Sequence, residues 1–160
     1  MSNMEVLTLS SLIGKEILEA RCHYTYENEW GLTEYHTYIK LSGNIVIDIP
    51  MFDDQAYSLS THDNPDYLQE RFDRGDSFLD ETRKKIEGQK ITDFFLCFDE
   101  EGDLHDLGSG YILLSNGNYL VERQYAPPGI GIGLFILDED RFIDRNKQFK
   151  IDARSFLQTR

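Results

Sequence analysis

Cysteine is scarce, with two residues in 160, and neither lies near a histidine at a metal-site spacing, so a disulfide framework and a structural zinc site are both set aside. Cys22 and Cys97 fall instead on strand-like segments among aromatics, where a reduced thiol packs as a small hydrophobe. Nowhere do 18 apolar residues run together, which excludes a membrane-spanning helix. Residues 1–11 lack the basic start and long apolar centre of a secretion signal, so a cytoplasmic location is expected.

Positive charge is short as well. Sixteen Lys and Arg face 29 Asp and Glu, for a formal charge of −13 and a pI near 4.6. Binding to nucleic acid draws on clustered cations that displace counterions, and no such stripe exists here. Nucleic acid and anionic membrane surfaces are therefore not expected as ligands, whereas a basic protein is favoured by long-range steering. The alternative is an acidic surface that serves only solubility.

Catalytic and cofactor motifs are missing too. The four histidines, at 23, 36, 62 and 105, form no metal-ligand spacing, although His23 and His36 are placed to face each other across two strands. No Gly-x-Ser-x-Gly elbow occurs. Carboxylate pairs such as Asp53 with Asp54 and Asp138 with Asp140 sit in segments that read as exposed, where nothing raises one pKa above the other. No catalytic residue, metal or cofactor is assigned.

What the chain does contain is alternation. Leu18, Ala20, Cys22, Tyr24 and Tyr26 share one face of a strand over 16–26. Tyr35, Thr37, Ile39 and Leu41 share a face of a second strand, and a Ser42-Gly43-Asn44 turn leads to a third through Ile45, Ile47 and Ile49. Residues 55–61 are a weaker candidate strand. A helix is expected from an Asn64-Pro65 start to Gly75, and another from a cap at Asp76 or Ser77 to Gly88, with Phe78, Leu79, Thr82 and Ile86 on one face. Strands follow at 91–98, 111–114, 119–125 and 132–137. Asp138 then caps a short helix to about Arg145, after which 148–151 reads as strand and 152–157 as a helical turn.

Order and turn chemistry repeat. Tyr38-Ile39-Lys40-Leu41-Ser42 recurs as Tyr111-Ile112-Leu113-Leu114-Ser115, each followed by a Gly-Asn turn, and Gly14 and Ile17 match Gly88 and Ile91 at equal spacing. The expected architecture is one domain over 1–160, α+β and predominantly antiparallel, with internal duplication of a three- or four-stranded meander followed by helix, the candidate repeats being 14–87 and 88–160. The two sheets pack together or join, with helices on their outer faces.

Three features invite functional readings. The acidic connection Asp99-Glu100-Glu101-Gly102-Asp103 lacks the EF-hand pattern and reads as a solvated loop. Its counterpart carries Glu27, Glu29 and the single Trp30. Trp30 either packs inward or meets a partner. Alternate glycines at 129, 131 and 133 leave one side of an extended segment bare, for close packing or for a ligand wall, and no phosphate-loop context surrounds them. The leading expectation is a small acidic binding protein, most concretely an immunity-type inhibitor of a basic toxin. Glu27, Glu29, Asp99, Glu100, Glu101 and Asp103 would steer association, while Trp30 and Tyr35 would supply contact area. The alternatives are a small-molecule-binding or catalytic domain with a pocket walled by Gly129, Gly131 and Gly133, and an assembly subunit pairing through exposed strand edges.

Overall fold

The computed structural model describes residues 8–49, 65–105, 110–126 and 131–158. The expected strand at 55–61, the Asn64 cap, the Asp53-Asp54 pair, His62 and Gly129 lie outside them. A short helix α1 (Leu9–Leu12) precedes a meander of β1 (Ile17–Thr25), β2 (Thr33–Leu41) and β3 (Ile45–Asp48). Then come α2 (Pro65–Asp73), the two-residue strand β4 (Asp76–Ser77) and α3 (Asp80–Ile86). The second half runs β5 (Ile91–Phe98), β6 (Tyr111–Leu114), β7 (Tyr119–Arg123), β8 (Tyr125–Ala126), β9 (Gly133–Leu137), α4 (Glu139–Gln148) and β10 (Asp152–Ser155). The first sheet has the order β3-β2-β1-β4 with β8 also paired to β2, and the second has β10-β5-β6-β7-β9. All pairings are antiparallel, as the alternation required.

The two sheets are stitched where β1 and β5 begin. The Gly14 and Gly88 amides donate to the carbonyls of Ile91 and Ile17 at 2.7 and 2.8 Å. Those of Ile17 and Ile91 donate to Gln89 and Lys15 at 2.8 and 2.9 Å. Ser42 and Ser115 hydroxyls receive the Glu16 and Lys90 amides. Each strand also carries a bulge at the same place, between Ile17 and Glu19 and between Ile91 and Asp93. An extra residue there reverses the facing of what precedes it, so Ile17 and Ala20 both point inward, as do Ile91 and Phe94. Leu18, expected on the buried face, is turned out to solvent for this reason. The correspondence is local and does not confirm an internal duplication, since β9 has no counterpart beside β3 among the described residues.

One buried cluster takes side chains from both sheets, including Ile17, Ile39, Leu41 and Ile47 from the first and Ile91, Phe94, Ile112 and Leu120 from the second. Helices α1 and α3 add Leu9, Leu12 and Ile86 to that cluster, while α2 and α4 cover the outer faces. Leu68 and Phe72 of α2 pack on Tyr38 and Val46, while Phe142 of α4 stacks on Tyr119 at 3.9 Å between ring centres. Burying such a ring contributes about 2–3 kcal/mol. Asp138 caps α4 as expected, accepting the Arg141 amide at 2.9 Å.

Two local expectations are corrected. Asp76 and Ser77 do not cap a helix; they pair with Cys22 and Arg21 as β4, and α3 starts later, leaving Leu79 exposed at its N-cap. Residues 152–155 form an edge strand on β5 instead of a helical turn, and the helix before it continues through Gln148. The buried Asp93 carboxylate secures that strand, accepting the Ser155 hydroxyl and the Leu157 amide. An open edge on a central strand outweighs local helix preference.

The β4 crossing is tight. A side-chain carbon built on Gly75 would stand 2.9 Å from Arg21 Cβ and 3.2 and 3.3 Å from the carbonyl oxygens of Phe72 and Cys22. Gly75→Ala is expected to destabilise the fold by about 1–3 kcal/mol through overpacking, read by urea denaturation.

Candidate functional site

The β1–β2 connection is built by one side chain. Asn28 Oδ1 accepts the amides of Trp30 and Leu32 at 2.9 and 3.0 Å, and Gly31 takes a φ of 74° to close the turn. The loop after β5 uses the same device. Asp99 Oδ1 accepts the amides of Glu101 and Asp103 at 2.9 and 3.0 Å, with Gly102 at φ 84°. These are Asx turns, in which a short polar side chain substitutes for a backbone acceptor. One carboxylate oxygen of Asp99 is thus spent on its own loop, while Glu100, Glu101 and Asp103 face solvent. Glu100 lies 3.9 Å from Lys150, and His105 reaches the Phe149 carbonyl at 2.8 Å, so this loop belongs to the α4 side of the second sheet.

The first loop differs in what it displays. Trp30 is 72% exposed, Tyr26 66% and Tyr24 55%. Glu27 and Glu29 are exposed beside them and make no ion pair with a described residue. Tyr24 continues the inward face of β1, but that face outruns the cover supplied by the second sheet, and Tyr26 follows just past the strand's end. The exposure of Trp30 counts against its packing inward.

Tyr35, expected in the contact surface, is buried, with 6% exposure. It stands opposite Tyr24 in the ladder and points between the sheets. Thr37 donates its hydroxyl to the Tyr35 oxygen at 3.0 Å, and burial drives the phenol far above its ordinary pKa. The neighbouring Cys22 thiol is raised by burial as well, and Cys97 is pushed up to about 12. Both thiols are free and held neutral, which suits packing and not nucleophilic chemistry.

Sequence reasoning passed over Glu122. It follows the unbroken apolar run Tyr119-Leu120-Val121, and the one signal was a carboxylate on the same face as the core residue Leu120. It is 2% exposed, accepting the Thr37 amide at 2.9 Å and the Gln124 side chain at 2.6 Å. Burial pushes its carboxyl up to about 7 against those two hydrogen bonds.

On the outer face of the first sheet, His23 and His36 are direct cross-strand partners, as expected. His23 bonds the Arg71 carbonyl at the end of α2, where Arg21 also donates to the carbonyls of Phe72 and Asp73. Burial holds His36 below its ordinary pKa, against the pull of Glu34 at 3.6 Å. These groups dock a helix. Among the described residues no cluster of three His, Cys, Asp or Glu side chains is arranged to hold a metal. No described atom lies within 4 Å of a side-chain carbon built on Gly131 or Gly133, so neither glycine is there to let a described part of the molecule pack close. No helix among the described residues is long and apolar enough to cross a membrane.

The chain matches no protein-family model, no curated protein and no solved structure.

Exposure separates the two aromatic roles. Trp30→Ala is expected to change stability by less than about 0.5 kcal/mol, whereas Tyr35→Ala costs about 3–5 kcal/mol, both read by thermal and urea unfolding. Among the described residues the Asn28 Nδ2 atom is buried without a partner. Asn28→Asp keeps both turn bonds but puts a charged oxygen in that unpartnered place between Glu27 and Glu29, so it is expected to lower stability by about 1 kcal/mol, while Asn28→Ala loses both turn bonds and about 1–2 kcal/mol, both read by urea denaturation.

Proposed function

We propose that this protein is a small acidic binding protein that engages a basic protein partner through the β1–β2 hairpin end. Most concretely, it is an immunity-type inhibitor of a toxin domain. The observation that carries this reading is the exposure of Tyr24, Tyr26 and Trp30 on one hairpin end, with Glu27 and Glu29 beside them. Clustered exposed aromatics mark interaction surfaces, and Trp and Tyr are the residues most enriched at interface hot spots. The formal charge of −13 adds steering toward a cationic partner. Tyr35 supports the surface from beneath, through its pairing with Tyr24, and makes no outward contact. Glu100, Glu101 and Asp103 add to the field from the second sheet and stand outside the contact itself.

The test asks first whether a basic toxin domain is encoded beside the gene, its absence counting against the immunity reading, and then pairs that domain with this chain. Co-expression is expected to restore growth, and association to slow by about tenfold or more between 50 and 500 mM salt, as steered encounters do. Trp30→Ala should raise the dissociation rate, and Glu27→Lys with Glu29→Lys should lower the association rate and flatten its salt dependence. Binding that is flat in salt and indifferent to all three substitutions would overturn the reading.

A further inference from the structure

We propose that the Glu122 carboxyl is a proton-controlled latch between the two sheets, which holds β8 against β2 when protonated and loosens it when ionised. The geometry begins with a break in the edge of β2. On the side away from β1, β3 pairs with Tyr38 through Leu41, and β8 pairs with Thr33 and Glu34. The Tyr35 amide donates to the Gln124 carbonyl at 2.8 Å, just before β8. Between these two partners the Thr37 amide has no strand opposite it. Glu122 fills that place, reaching from the inner face of β7 so that its Oε2 accepts the Thr37 amide at 2.9 Å.

The chain around Glu122 is the point at which it leaves one sheet for the other. Glu122 pairs with Leu134 of β9 in the second sheet, and Tyr125 pairs with Glu34 in the first. Expected as one strand over 119–125, the segment is instead split at Gln124 by this crossing. Among the described residues the attachment of β8 rests on few bonds: the two-residue ladder, the Tyr35 amide, the Thr33 hydroxyl on the Ala126 carbonyl at 2.8 Å, and Glu122. A short seam of this kind opens at far lower cost than the core strands.

Burial and the Asp48 charge favour the neutral carboxyl, and they outweigh the hydrogen bonds from Thr37 and Gln124, which favour the ionised form. From β2 come the Thr37 amide and the Tyr35 phenol, itself held neutral by burial. Cys22 on β1 lies behind Tyr35 and is also neutral. Asp48, at the end of β3, opposes a second negative charge, and Gln124 supplies one amide bond. No ion pair to Glu122 occurs among the described residues. Burial without a counter-charge disfavours the ionised state, and opening the seam to water relieves it.

The direction follows from the two protonation equilibria. In the opened seam the carboxyl ionises near its ordinary 4.5, and in the closed seam at about 7. Closure is therefore strongest at acid pH, weakens as pH rises from 4.5 to 7, and is level above that. The interval corresponds to a change on the order of a hundredfold in the opening equilibrium.

Amide hydrogen exchange on the full chain, without any partner, tests the latch separately from the docking proposal. After correction for intrinsic rates, protection of the Thr37 and Tyr35 amides is expected to fall by on the order of a hundredfold between pH 4.5 and 7.5. In Glu122→Gln that pH dependence should vanish. Equal slopes in the two proteins would overturn the proposal. A second measurement, on wild-type protein alone, is the carbon-13 titration of the Glu122 carboxyl. A midpoint near 7 is expected, and one near 4.5 overturns the latch whatever the variant does.

Discussion

The fold depends on the short antiparallel pairing of residues 14–17 with 88–91. Four main-chain hydrogen bonds join the starts of two strands that then diverge into different sheets. The bulges at Ile17 and Ile91 follow from that divergence. A strand leaving a shared ladder for its own sheet must bend, and an inserted residue supplies the bend while turning an isoleucine into the common core. Ile17 and Ile91 are both fully buried at this joint, alongside Ile39, Leu41, Ile112 and Leu114. Nonpolar burial there removes both sheet interiors from water at once, so neither half presents a bare face.

The other end of the sandwich is organised on opposite terms. Along the inward face of β2, Leu41 and Ile39 give way to Thr37, Tyr35 and Thr33, and the material opposite changes from isoleucine and phenylalanine to Glu122, Gln124 and the Ala126 carbonyl. Buried polar groups require partners: the Thr33 hydroxyl and the Thr37 amide find theirs across the seam, and the Tyr35 hydroxyl accepts from Thr37 on its own strand. The polar seam lies directly behind the hairpin that displays Tyr24, Tyr26 and Trp30, because Tyr24 and Tyr35 are opposite one another in the ladder. The adaptable part of the core and the exposed aromatic surface are thus neighbours, while the apolar joint stays remote from both.

Much of this was legible in the residues. The alternation at Tyr35 to Leu41 placed β2 on the correct face, the glycine after Ser42 marked a turn taken at φ 86°, and Asp138 announced the start of α4. Asn28 and Asp99 each hold their acidic loop with the same pair of side-chain bonds, a local likeness that does not confirm a duplication. Three misplacements share a cause. Tyr35 was assigned to a surface, 152–155 to a helical turn and Asp76-Ser77 to a cap, each because its local pattern was judged without the strand that would lie beside it.

By itself, the sequence determined which segments alternate, where the chain turns, and that the whole carries a strong negative charge. Period and turn chemistry are properties of adjacent residues, so they survive without knowledge of neighbours in space. Only the tertiary structure decided that Tyr24 is exposed while its cross-strand partner Tyr35 is buried, that Leu18 points outward past a bulge, and that Glu122 completes an edge of the opposite sheet. A two-residue period tells which side chains share a face. It carries no information on how far the covering sheet extends, and that extent is set by contacts between residues distant along the chain.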